Sequence, residues 1–155
     1  MGAQQENPLV VYWARTLSAA GIGEASLLSE RFDPDHFGDG EASFRLGSII
    51  LRLVRDRGED SVEIAPTCAP HEYFRLDDIF VALGWREVKD VLARTSPVPL
   101  EEELKEVVRR AEDLEVSLGA KRLPLTREAV REASERRERA FLDELQRLAD
   151  NCDKV

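Results

Sequence analysis

"SIILRLVRDRGEDSVEIAP", residues 48–66, decides the fold. Ile49, Leu51 and Leu53 alternate with Ile50, Arg52 and Val54, so a strand here has one wholly apolar face and one mixed face. The segment "DRGED" that follows has the length of a hairpin loop, and Gly58 can take a positive φ. Val62 and Ile64 then point one way and Glu63 the other. Upstream, Phe44 and Leu46 alternate within 42–46, and Gly47 with Ser48 reads as a turn. The pattern predicts an antiparallel meander of three strands, or four if Leu27 and Leu28 begin another. A sheet this small needs something packed on it.

Helical patterns flank the sheet on both sides. Asn7 is a cap residue, Pro8 suits a first helical position, and Leu9, Val10, Trp13, Leu17 and Ala20 share a face. This predicts a helix over about residues 8–20, stopped by Gly21. Residues 21–41, "GIGEASLLSERFDPDHFGDGE", are turn-rich, and Pro34, Gly38 and Gly40 punctuate them. Past Pro66 and Pro70, Ile79, Phe80 and Leu83 mark one short helix ending near Gly84. Trp85, Val88, Val91 and Leu92 mark a second. "TSPVP", residues 95–99, is the clearest boundary in the chain.

Beyond it, Leu100, Leu104, Val107, Ala111, Leu114 and Leu118 step by three and four residues up to Gly119. Thr126 is placed to cap a last helix carrying Val130, Ala133, Phe141, Leu145 and Leu148, with the charged run "SERRER" interrupting the stripe. The two segments predict an antiparallel helical hairpin whose narrow seam must pack on the β unit, on a second copy, or on a partner. The expected fold class is therefore α+β, with residues 1–94 as one unit and 97–155 as the helical hairpin.

The totals exclude several function classes. Hydrophobic content of 43% with 34% charged residues fits a folded chain rather than a disordered one. The net charge of −9 opposes phosphate binding, and Lys and Arg are interleaved with Asp and Glu, so no nucleic-acid partner is expected. Residues 1–96 hold sixteen acids against ten bases, and residues 97–155 fifteen against twelve. The negative excess thus lies mainly on the β half. No stretch approaches the roughly 18 apolar residues of a membrane span. The N-terminus lacks a basic signal-peptide region, and "MGAQQE" lacks the Ser or Thr of a myristoylation pattern. Cys68 and Cys152 form neither a disulfide framework nor a zinc knuckle, which suits a reducing cytoplasm.

The constellations that could carry chemistry each fall short. Asp33, Asp35, Asp39 and Glu41 evoke a calcium loop, but the twelfth position, which should hold a bidentate Glu, is Phe44. Cys68 and His71 have no second ligand pair for zinc, and they read as a buried thiol and an exposed imidazole. Asp56, Asp60 and Glu63 suggest a metal-dependent nuclease, yet Ile64 and Ala65 stand where the required Lys would follow. "GIGEAS" lacks the third glycine and the preceding strand of a dinucleotide loop. Neither a catalytic role nor a cofactor nor a metal is expected.

The stretch from Phe44 to Pro66, followed by "YFRLDDIFVALG", resembles small uncharacterised bacterial proteins of the immunity type, found beside toxin or defence genes. In those an apolar strand ends in an Asp-Arg-Gly turn, pairs with a second strand, and leads to an aromatic and a short helix. The likeness spans about residues 42–84, and the tail from 97 onward has no counterpart in it. It implies a cytoplasmic, non-enzymatic antidote that occludes a toxin's active site. The expected contact face comprises Asp33, Asp35, Asp39, Glu41, Asp56, Arg57, Glu59 and Asp60, with Tyr73 and Trp85 as aromatic contacts. Glu72, Asp77 and Asp78 would extend it. The alternative is an adaptor subunit of a multi-protein, defence-type assembly, docking or self-associating through residues 97–155.

Overall fold

A computed structural model describes residues 6–152. Gly2 and its neighbours, which bear on the myristoylation pattern, lie outside this range. The chain runs α1 (Pro8–Ala19), β1 (Ser26–Asp33), β2 (Asp39–Leu46), β3 (Ile49–Asp56), β4 (Glu59–Pro66), β5 (Phe74–Arg75), α2 (Leu76–Ala82), α3 (Val88–Leu92), α4 (Leu100–Arg109), α5 (Ala111–Leu118) and α6 (Leu123–Cys152). It is α+β, as the pattern predicts. The strands form one antiparallel sheet in sequential order β1-β2-β3-β4-β5.

The local signals act as expected in the central hairpin. Ile49, Leu51 and Leu53 are fully buried and lie on the face that receives the helices. Arg57 and Gly58, the two residues between β3 and β4, both have positive φ, 52° and 83°. That is the requirement of a type I′ turn, whose twist matches the flanking strands. At the front of the chain, Asn7 Oδ1 accepts the Leu9 N–H at 3.0 Å, which starts α1 at Pro8. Leu9, Trp13 and Leu17 then bury one stripe against the sheet.

Four features depart from the sequence pattern. The sheet has a fifth strand, the two-residue β5 paired to β4, where three or four strands are expected. Where only a strand start was expected at Leu27, β1 runs eight residues to Asp33. Most of β1 is exposed, so it carries no apolar alternation to read, and its conformation comes from pairing along β2. The first arm of the expected hairpin is divided at Arg110, whose φ of −106° and ψ of 6° separate α4 from α5. Thr126 does not cap α6 but lies inside it, buried, with Oγ1 donating to the Ser117 carbonyl at 2.6 Å. Past that turn α6 leaves α5 and packs along α2 and α3.

The core lies between the sheet and the helices. Ala42, Phe44, Leu51, Leu53, Val62 and Ile64 meet Trp13 of α1, Phe80 of α2, Leu104 of α4 and Leu114 of α5. The other sheet face carries charged ladders, including Arg31 against Glu41 and Arg52 against Glu63. Gly40 marks a close crossing of β1 and α1 over β2. A Cβ there would stand 2.6 Å from the Arg31 carbonyl oxygen and 2.7 Å from Leu9 Cδ1. Gly40→Ala is therefore expected to destabilise the fold by about 2 kcal/mol. Urea denaturation measures this as a lower midpoint at constant slope, and an unchanged midpoint would refute the close approach.

Candidate functional site

Strand pairing gathers the acidic turns. Because β2 and β3 are antiparallel with Gly40 opposite Arg55, the β1–β2 and β3–β4 turns share one end of the sheet. Asp39 ties them together, its Oδ1 accepting the Arg57 N–H at 2.7 Å. Within the first turn, Asp33 Oδ1 accepts the Asp35 N–H at 3.1 Å, and its Oδ2 stands 2.7 Å from His36 Nδ1. Phe37 sits at the apex, 87% exposed and at a φ of 57°. A bulky residue held in left-handed backbone with its ring in water is costly on both counts. Sequence reasoning passed over it. The available signal was a lone aromatic among Asp, His and Gly in "DPDHFGDG".

Beside this end, an open cleft of about 710 Å³ runs between β4 and the segment 94–98. Asp56, Glu59, Asp60, Glu63, Asp77 and Glu103 line it, with Arg75 and Arg94. The "TSPVP" stretch is one of its walls. The acids differ sharply in how they are neutralised. Asp60 takes a bidentate pair from Arg55 at 2.8 and 2.7 Å. That hydrogen bond and charge raise the Arg55 pKa, and the Arg55 guanidinium also lies 5.1 Å from the Tyr12 ring centroid. Glu63 accepts from Arg52 Nε at 2.6 Å. Asp77 holds both Arg86 and Arg94, and Arg86 bridges to Glu103 at 2.7 Å. Burial alone would lower the Arg86 pKa, but Glu103 and Asp77 together raise it. Among the described residues Asp35, Asp56 and Glu59 have no ion-pair partner.

The expected contact face is thus only partly assembled. Asp33, Asp35, Asp39, Asp56, Arg57 and Glu59 come together at the turn end, with Glu41 one step along β2 and 3.8 Å from Arg31. Asp60 is turned inward, bound to the Arg55 guanidinium that stands against Tyr12. Tyr73 lies toward the other end of β4, stacked under Arg52 at 3.9 Å with its hydroxyl 3.2 Å from Ser43 Oγ. Trp85 packs edge-on against Phe80 at 5.2 Å and beneath Arg110 at 4.8 Å. Both aromatics are engaged within the chain.

Three further acids expected to extend the face are held internally. Glu72 pairs with Arg127, which keeps its carboxyl below the usual range, and Asp77 is held as above. Asp78 is buried and bound by Arg137 at 2.8 and 3.3 Å. Cys68, expected to be buried, is exposed, its Sγ 3.7 Å from the Leu118 carbonyl oxygen.

Among the described residues, no cluster of three His, Cys, Asp or Glu side chains has metal-holding geometry, and no helix is long and apolar enough to cross a membrane. No family model matches the chain, and neither a curated protein nor a solved structure matches it.

Proposed function

We propose that this chain is a non-enzymatic, antidote-like binding module that engages a basic protein surface through the joined turns of β1–β2 and β3–β4. The carrying observation is the placement of Phe37 at the apex of an end where Asp35, Asp56 and Glu59 have no ion-pair partner among the described residues. An exposed aromatic supplies the apolar anchor of an interface, and acids that outnumber Arg57 at this end supply steering and register. The partner that fits has an apolar pocket rimmed by Lys or Arg. A toxin active site built to grip phosphates has that character, and a cytoplasmic bacterial antidote is the reading that follows. The negative field also disfavours nucleic acid as the direct ligand.

The test is capture from a bacterial lysate by the wild type and by the triple variant Asp35→Lys/Asp56→Lys/Glu59→Lys, with bound proteins identified by mass spectrometry. The wild type should retain basic proteins that the variant loses, and the retained amount should fall as salt is raised. Equal retention by both would end this reading. The adaptor alternative draws instead on the far half of α6, where apolar side chains stand in water.

A further inference from the structure

α6 has two halves with different surroundings. Its 30 residues extend about 45 Å at 1.5 Å per residue. Leu123, Thr126, Val130 and Ala133 are buried, and Arg137 reaches the buried Asp78. Beyond Arg137 no residue of α6 is buried. Yet Phe141, Leu142, Leu145 and Leu148 continue as apolar side chains, each 47% exposed or more. Phe141, Leu145, Leu148 and Cys152 follow one another at spacings of four, three and four, which is the seam of a two-stranded coil.

We propose that this face is covered by the same face of a second copy, with the two α6 segments antiparallel and centred between Leu145 and Leu148. In that register Leu145 meets Leu148 of the second copy, and Phe141 meets Cys152. The flanking positions pair Leu142 with Ala149 and Glu144 with Asn151, so no like charges oppose one another along the contact. Asp143, Arg147 and Asp150 sit outside the seam, and Glu144 is already paired with Arg147 at 2.6 Å. A seam whose flanks carry a single acid, Glu144, already paired with Arg147, selects an apolar helix rather than a strongly basic one, and its spacing is complementary to itself. The antiparallel sense sends the two folded bodies to opposite ends of the contact and opposes the helix dipoles favourably. The contact is short and belongs with weak, concentration-dependent association. It joins two acidic turn ends in one particle, so a surface carrying two matching pockets gains avidity. Self-pairing stands or falls independently of what the Phe37 end binds.

Sedimentation velocity of the full chain over a wide concentration series, under reducing conditions, should show reversible dimerisation. Leu145→Glu should remain monomeric throughout with an unchanged thermal midpoint, since Leu145 is not part of the core. The arrangement is read by cross-linking in a Cys68→Ser background. Adding Phe141→Cys should give a covalent dimer on mild copper–phenanthroline oxidation, through residue 141 of one copy and Cys152 of the other. Without that change Cys152 and its counterpart stand about 16 Å apart and should not link. A wild type that stays monomeric, a Leu145→Glu variant that still dimerises, or efficient Cys152–Cys152 linkage would each overturn the proposal.

Discussion

Phe37→Gly is expected to stabilise the fold while removing partner capture. The two effects have separate causes. An L residue in the left-handed region costs about 1–2 kcal/mol, which glycine does not incur. Glycine returns roughly 0.5–1 kcal/mol of that as extra freedom in the unfolded chain. The ring, 87% exposed, leaves little packing to lose. The net gain should therefore be about 0.5–1 kcal/mol, visible as a higher urea midpoint. Binding should move the other way, because an aromatic anchor removed from the centre of an interface costs about 2 kcal/mol or more, roughly 30-fold in affinity. Calorimetric titration with the captured partner measures it. Phe37→Asn serves as a second arm, since Asn tolerates this backbone and keeps the turn. Undiminished affinity in both variants would show that Phe37 does not anchor the contact, and a lower midpoint for Phe37→Gly would show that the turn is not strained.

Arg137→Met is expected to destabilise the protein by about 3 kcal/mol, the largest effect of any single change proposed. Asp78 is 5% exposed in the first turn of α2, and among the described residues Arg137 is its only ion-pair partner. Removing the guanidinium leaves a buried carboxylate without countercharge. It also cuts the last tie that holds α6 along α2 before the helix leaves the body. Adding Asp78→Leu to Arg137→Met removes the stranded charge and should recover most of the loss, even though a helix N-terminus then lacks an acid worth about 0.5 kcal/mol. The double-mutant cycle by thermal or urea unfolding separates the pair from the packing. Near-equal stability of wild type and Arg137→Met would mean that Asp78 finds solvent or another partner in solution.

The candidate site was partly legible. The acids of 33–41 and 56–60 were identified as one face, and the ladder does join most of them. Which of the acids on these strands find an arginine partner was also within reach of the sequence. Once the turn is placed at Arg57 and Gly58, the register sets Arg55 opposite Asp60 and Arg52 opposite Glu63. The neutralisation of Asp77 by Arg86 and Arg94, and of Glu72 by Arg127, was not within reach, because those partners come from helices and connections whose docking no local pattern specifies. The run "SERRER" illustrates the same limit. Read along the chain, it interrupts an apolar stripe. In the fold, Arg137 occupies the next position of that stripe after Val130 and Ala133, and the surface it meets presents a buried carboxylate.

The sequence by itself determined the elements whose periodicity is strong, which are the β3–β4 hairpin, the capped α1 and the amphipathic runs of α4 to α6. Hydrophobic alternation, turn chemistry and caps act between near neighbours, so they survive reading in one dimension. Only the tertiary structure decided that β1 is a full strand, that Tyr73 and Trp85 are covered by arginines of the same chain, that Phe37 stands alone at the joined turns, and that α6 outruns the body it packs on. Those outcomes depend on which surfaces meet across long stretches of chain, and a charge or a ring has no fixed role until its opposite number is in place.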